Sequence, residues 1–261
     1  MADDLIPNQI LMLIGVIAGT LCIYASSLDV IGGVLAIIAA VVSTVYGTNT
    51  LRKIGKYSLG TGVPSIVYML TAVGLVSYVS AMLISSYINM AMAFPLLAII
   101  LAVIISTIIS LICKHIFKIQ VEILSKSFIS ISVASLLLML SMSCLITKTY
   151  SPDMIYELVI QNGLIILIMI LSVMAIQNPY NACMGPNEDQ YRTLSLAVSN
   201  TFMMLILISI ISMLNTQYWI LYLVISLVGW FILFSKYVRY SKQQAASIRR
   251  FGLWPDGDGD D

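Results

Sequence analysis

Gln177-Asn178-Pro179-Tyr180-Asn181-Ala182-Cys183-Met184-Gly185-Pro186-Asn187-Glu188-Asp189-Gln190-Tyr191-Arg192-Thr193-Leu194 breaks an otherwise oily half-chain with a compact polar stretch. It holds two prolines, one glycine, two acids and one arginine. Pro179 and Pro186 fix φ and remove two backbone donors, Gly185 can take φ > 0, and Asn178, Asn181 and Asn187 can cap turns with their side chains. The stretch therefore reads as an ordered loop between two membrane helices, more specified than a tether needs to be.

Working outward, the apolar flanks decide the class. The 261 residues are 60% hydrophobic and 10% charged, with a mean hydropathy of +1.00; soluble domains carry roughly 25% charged residues. Predominantly apolar runs of the length a bilayer core requires fall at 9–26, 30–46, 65–84, 92–112, 128–147, 158–176, 195–213 and 217–235. The expected fold is all-α, a polytopic integral membrane protein of about eight transmembrane helices. Met1-Ala2-Asp3-Asp4 lacks the basic n-region of a secretory signal, so the first run is expected to stay as a membrane helix. Ser26-Ser27-Leu28-Asp29 and Leu214-Asn215-Thr216 leave room only for tight hairpins.

The basic residues test this count independently. With an even number of spans, both termini and the connections after spans two, four and six share one side. Arg52, Lys53, Lys56, Lys114, Lys118, Lys126, Arg192, Lys236, Arg239, Lys242, Arg249 and Arg250 fall there, leaving Lys148 of the 13 Lys and Arg opposite. The positive-inside rule makes that side, and both termini, cytoplasmic, in a multi-pass protein of the cell membrane.

A second polar motif, Tyr57-Ser58-Leu59-Gly60-Thr61-Gly62-Val63-Pro64-Ser65, follows the second span. Together with Asn178-Pro179-Tyr180-Asn181-Ala182-Cys183-Met184-Gly185-Pro186 and Arg192-Thr193-Leu194, and with a hydrophobic profile that fits along nearly the whole chain, it resembles one family. That family is the integral-membrane C-subunit of the methyl-tetrahydromethanopterin:coenzyme M methyltransferase of methanogenic archaea.

The resemblance implies membership of a multisubunit methyltransferase. In that family a corrinoid on a partner subunit accepts the methyl group from methyl-tetrahydromethanopterin and passes it to coenzyme M, coupled to sodium-ion translocation. This chain would sit with other polytopic subunits, its cytoplasmic loops facing the corrinoid-bearing subunit. It would bind no cofactor itself, and alone it is expected to have no catalytic activity. The residues marked for substrate or corrinoid-domain contact are Asn178, Tyr180, Asn181, Arg192, Gly60, Gly62 and Pro64. For Arg192 two roles stand open: holding a sulfonate or a partner surface, or pairing locally with Glu188 or Asp189 at the start of helix seven. Two other classes compete, an autonomous small secondary transporter and a purely structural membrane scaffold.

Further patterns organise the chain. Gly15 with Gly19, Ala36 with Ala40, and Ala98, Ala102, Ser106 and Ser110 form small-residue stripes that let helices approach closely. Residues 114–126 place Lys114, Lys118, Glu122 and Lys126 on one face and are expected to form an interfacial amphipathic helix. A shift of about 130 residues superposes the two motif loops, suggesting parallel four-helix halves: 1–130, with the interfacial helix, and 131–240, followed by a cytoplasmic tail, 241–261.

Chemistry is sparse. Cys22, Cys113, Cys144 and Cys183 stand singly with one histidine, His115, so a zinc site is not expected. The acidic tail lacks the spacing of a calcium loop. No nucleophile with a base, no phosphate loop and no dinucleotide fingerprint is present, and no nucleic-acid patch. Intramembrane charge, the usual mark of an ion path, is missing; Asp29 lies at a hairpin. Only uncharged oxygens, such as Gln161, Asn162, Asn200, Thr201 and the serines of helix five, are available to an ion, and no sodium site is assigned.

Overall fold

A computed structural model describes residues 8–25, 28–56, 63–116, 122–146, 155–182 and 190–250. These form eight α-helices and no strand among the described residues: α1 Asn8–Tyr24, α2 Asp29–Lys56, α3 Val63–Tyr87, α4 Phe94–His115, α5 Glu122–Ile146, α6 Ile155–Ala182, α7 Gln190–Ile211 and α8 Trp219–Arg250. Single 3-10 turns at Ala91–Ala93 and Ser212–Leu214 precede α4 and follow α7. Six helices are long and apolar enough to cross a bilayer, and α1 and the described part of α6 add shorter apolar stretches. The chain is a polytopic all-α membrane protein.

Cross-helix bonds show that the turns after α1, α3 and α7 gather at one end, together with the close of α5. The Tyr24 hydroxyl, closing α1, donates to the Met92 carbonyl beside the α3–α4 turn. The Cys144 thiol near the end of α5 donates to the Cys22 carbonyl of α1 at 2.9 Å. Asn215 donates to the Ile146 carbonyl, joining the α7–α8 turn to α5, and the Tyr222 hydroxyl donates to the Asp29 carbonyl at the start of α2. The α3–α4 turn passes through Asn89, whose φ of 54° suits asparagine. Pro95 stands in the first turn of α4, where its missing N–H is no loss.

α5 is the axis. Residues 131–143 are buried without interruption, and 89% of its membrane window is covered by protein, because α1, α2, α3, α4, α6 and α7 all pack on it. A helix apolar on every side can occupy such a place. Small residues admit the neighbours: a Cβ on Gly19 would lie 2.9 Å from the Leu137 side chain, and one on Gly74 would lie 2.8 Å from Met139. Ala36, Ala40, Ala98 and Ala102 are fully covered and Ser106 and Ser110 buried, so the predicted stripes serve packing.

Three sequence expectations are corrected. α2 continues ten residues beyond the apolar run that ended at 46, since Arg52 and Lys53 are good helix formers once in water. The polar stretch 177–194 is not all loop: α6 runs through Pro179 to Ala182 and α7 starts at Gln190, so only 183–189 lies outside the described residues. Pro179 costs one ladder bond, but it lies in the last turns of the helix and is buried. Finally, Lys114 and His115 form the end of α4, while Glu122 and Lys126 belong to α5, so both ends of the expected interfacial helix are continuations of membrane helices. Its middle, 117–121, lies outside the described residues.

α8 packs mainly along α7 and reaches α2 near its own start. Tyr222 fills the notch that Gly33 leaves in α2, and a Cβ at Gly33 would fall inside the phenol ring. Gly33→Ala is therefore expected to destabilise the chain by about 1–3 kcal/mol, as overpacking does. Adding Tyr222→Ala should relieve part of that loss, a coupling that denaturation of the four variants in detergent would measure.

Candidate functional site at the basic end of the bundle

The end opposite the odd-to-even turns carries the described basic residues, among them Arg52 and Lys53 on α2, Lys114 on α4, Lys126 on α5, Arg192 on α7, and Lys236, Arg239 and Lys242 on α8. Here the polar motifs meet the bundle. Asn178 is exposed in the last turns of α6, and the backbone of Tyr180 and Asn181 continues that helix. Pro64 is the second residue of α3. Gly60 and Gly62 lie outside the described residues, as do Cys183, Glu188 and Asp189. α3 packs on α6 and α6 on α7, so the helices carrying the two motifs are neighbours.

Arg192 is the best-defined member. It is half-buried in the first turn of α7, with its guanidinium over the Tyr237 ring of α8, 5.6 Å from the centroid. This contact was not foreseen; the sequence offered only the acids four and three residues upstream. Tyr237 is itself the top rung of an aromatic ladder. It lies 6.2 Å from Phe234, which stacks on Trp230 at 5.2 Å with 11° between the planes. The spacing 230, 234, 237 is one helical face, a signal legible in the sequence once α8 is known to continue past the apolar run. Such a cation–π contact is worth about 0.5–1 kcal/mol when exposed and about 2 when desolvated, and it orients a planar donor at the membrane surface.

Among the described residues the bundle interior offers hydroxyls and no charged side chain. Every buried polar side chain described is Ser or Thr. Many donate to the carbonyl four residues earlier, as Thr44 does to Ala40 at 2.8 Å, Ser143 to Met139 at 2.7 Å and Ser209 to Leu205 at 2.6 Å, whereas the hydroxyls of Ser43, Thr48, Ser132, Ser135 and Ser226 are buried without a hydrogen-bond partner. Thr201 donates across helices to the Thr44 oxygen at 2.7 Å, tying α7 to α2. Of the oxygens considered for an ion, Thr201 makes this bond between helices, Asn200 is half-buried, and the side chains of Gln161 and Asn162 lie outside the described residues. Among the described residues no three His, Cys, Asp or Glu side chains gather as a metal site. At the far end, Asp29, Cys144, Asn215, Thr216 and Tyr222 line a small crevice whose polar atoms include those that close the hairpins.

Comparison with known proteins decides the family. The sequence profile of the C-subunit of tetrahydromethanopterin S-methyltransferase, MtrC, matches residues 1–258. This chain belongs to that family. It is 42% identical to the corresponding C-subunit from Methanothermobacter marburgensis, over 97% of this chain and 95% of the relative. Identity to the Methanothermobacter thermautotrophicus protein is 40% with the same coverage, and to the Methanosarcina mazei protein 35%, over 97% and 94% of the two chains.

If Tyr237 positions Arg192, Tyr237→Leu should cost about 1 kcal/mol more in a background with Arg192 than in one with Arg192→Ala. Tyr237→Phe should retain most of that coupling. Stability measured on the purified variants would decide it.

Proposed function

We propose that this chain is a membrane subunit of a complex that passes a methyl group from methyl-tetrahydromethanopterin, through a corrinoid on a partner subunit, to coenzyme M, and couples the transfer to sodium-ion movement. The observation that carries the reading is the family match across nearly the whole length, on a bundle of eight apolar helices. An autonomous transporter is disfavoured, because the described interior holds no charged side chain of the kind such proteins keep at membrane depth. In this reading the corrinoid-bearing subunit approaches the basic end, where Arg192, Asn178, Tyr180, Asn181 and the motif of Gly60, Gly62 and Pro64 provide the contact surface. The complex should copurify from native membranes with this chain; recovery of the chain as a monodisperse monomer that transports ions in liposomes would overturn the proposal.

The basic end is assigned to the cytoplasm by its Lys and Arg excess. A cysteine introduced as Lys242→Cys, on an exposed position of α8, should react with a membrane-impermeant thiol reagent only in inverted vesicles. One introduced as Tyr87→Cys, 90% exposed at the other end, should react only in right-side-out vesicles. The opposite pattern would reverse the orientation.

Arg192 gives the test of the site. Coenzyme M carries a sulfonate, which a planar guanidinium can hold by charge-assisted hydrogen bonds, whereas an ammonium keeps the charge but loses the fork. Losing one such bond costs about 1.5–3 kcal/mol, roughly ten- to a hundredfold in affinity. Arg192→Lys is expected to weaken the apparent affinity for coenzyme M by that factor while the complex stays assembled. Normal assembly with unchanged affinity and turnover would make Arg192 a packing residue.

A further inference from the structure

At the end of the bundle opposite the basic residues, four elements close on one crevice. Asp29 stands in the first turn of α2, Cys144 near the close of α5, Asn215 and Thr216 in the turn between α7 and α8, and Tyr222 in the first turn of α8. Gly32 and Gly33 give its α2 wall no side chain. Its volume, about 10 Å³ for the centre of a water-sized body, is that of a single small occupant.

The hydrogen bonds around the crevice decide what that occupant is. The Tyr222 hydroxyl directs its proton to the Asp29 carbonyl, the Asn215 amide directs an N–H to the Ile146 carbonyl, and the Cys144 thiol donates to the Cys22 carbonyl at 2.9 Å. Tyr222 and Asn215 keep oxygen lone pairs. Thr216 Oγ accepts the Tyr218 N–H at 3.2 Å and has a second lone pair, and an ionised Asp29 carboxylate only accepts. A wall of acceptors with one formal negative charge suits a cation and repels an anion. Helix dipoles do not reverse this sign: the starts of α2 and α8 face the end of α5 and the turn that closes α7, so positive and negative helix ends offset one another.

Charge and donor number then select the ion. Calcium takes about six to eight oxygens, and magnesium holds a strict octahedron that keeps several waters. The crevice offers one carboxylate and three neutral side-chain oxygens, in room for one small body. A single sulfur whose proton is directed elsewhere gives no soft-metal site. The donor set fits a small monovalent cation, whose charge the one carboxylate balances.

We propose that this outer crevice binds a small monovalent cation, sodium above potassium, through the Asp29 carboxylate and the side-chain oxygens of Asn215, Thr216 and Tyr222. The inference rests on the reading that the complex moves sodium, and adds a station for the ion on this chain at the face opposite the cytoplasm. An occupant held by α2, α8 and the turn before α8 ties the outer hairpins together, so its binding is read as resistance of this end to opening.

Cys144 supplies a native reporter. It is half-buried at the crevice, Cys22 beside it is buried, and Cys113 of α4, half-buried towards the basic end, serves as the reference. N-ethylmaleimide is larger than the crevice and reaches Cys144 when this end opens, so an ion that holds it closed slows the reaction by the factor 1 + [ion]/Kd. In the purified complex, with peptide mass spectrometry reading each cysteine, sodium raised from about 1 to about 200 mM at constant ionic strength should slow Cys144 at least about threefold relative to Cys113. Potassium should give less than half of that slowing, and N-methylglucamine, the ionic-strength control, none. Asp29→Asn should raise the sodium concentration for half the effect about tenfold, since affinity follows the charge of the ligands. The Tyr222 hydroxyl is bonded to the Asp29 backbone carbonyl, so this variant leaves that bond in place. No slowing by sodium, equal slowing by all three cations, or an unchanged half-point in Asp29→Asn would overturn the proposal. The comparison of cations needs no variant and decides the matter even where Asp29→Asn fails to assemble. If methyl transfer by the complex responds to sodium and Cys144 does not, the crevice inference alone fails; if methyl transfer ignores sodium, the functional reading fails, whatever Cys144 shows.

Discussion

Close approach of helices to α5 is the constraint on which the rest of the bundle depends. In a bilayer the surroundings of a helix are as apolar as its neighbours, so association must come from fitted van der Waals contact and from bonds between helices. Gly19 against Leu137, Gly74 against Met139 and Gly47 against Ala134 and Ile176 supply that fit. Without a side chain at those positions the backbones come near enough for the large residues of α5 to fill the spaces between them.

The same environment explains the treatment of polar atoms. With no water to satisfy a hydroxyl, many Ser and Thr in the spans turn to their own backbone, and a few polar side chains make bonds that join one helix to another. Thr201 to Thr44 and Cys144 to the Cys22 carbonyl are of this second kind, crossing 157 and 122 residues of sequence respectively. Hydroxyls and thiols can be buried in this way at little cost, whereas charge is left to the two ends.

The described basic residues collect at one end of the bundle. Arg192 lies there with the face of its guanidinium over the Tyr237 ring. The ladder from Trp230 to Tyr237 gives that ring a packed base within α8. α8 therefore supports Arg192 on the side it turns to α7.

Much was legible in the sequence. The eight apolar runs located the eight helices, because insertion into hydrocarbon is an energy summed residue by residue; the Lys and Arg positions sorted the turns into two ends, as the cross-helix bonds then showed; and the motifs at 57–65 and 178–194 resembled the family that the full-length match establishes. The extent of the helices was not legible. Hydropathy reports where the bilayer ends, while backbone hydrogen bonding carries α2, α6 and α8 past that edge, through Pro179 in one case. The Tyr237 ring under Arg192 lies 45 positions away on another helix, beyond what local spacing can show. Nor could the sequence tell α5 from α4: both are apolar around their circumference, yet one is 89% covered in its membrane window and the other 22%. In water, hydrophobicity separates inside from outside; in lipid that contrast vanishes, and only the tertiary fit of one helix against another decides which is the core.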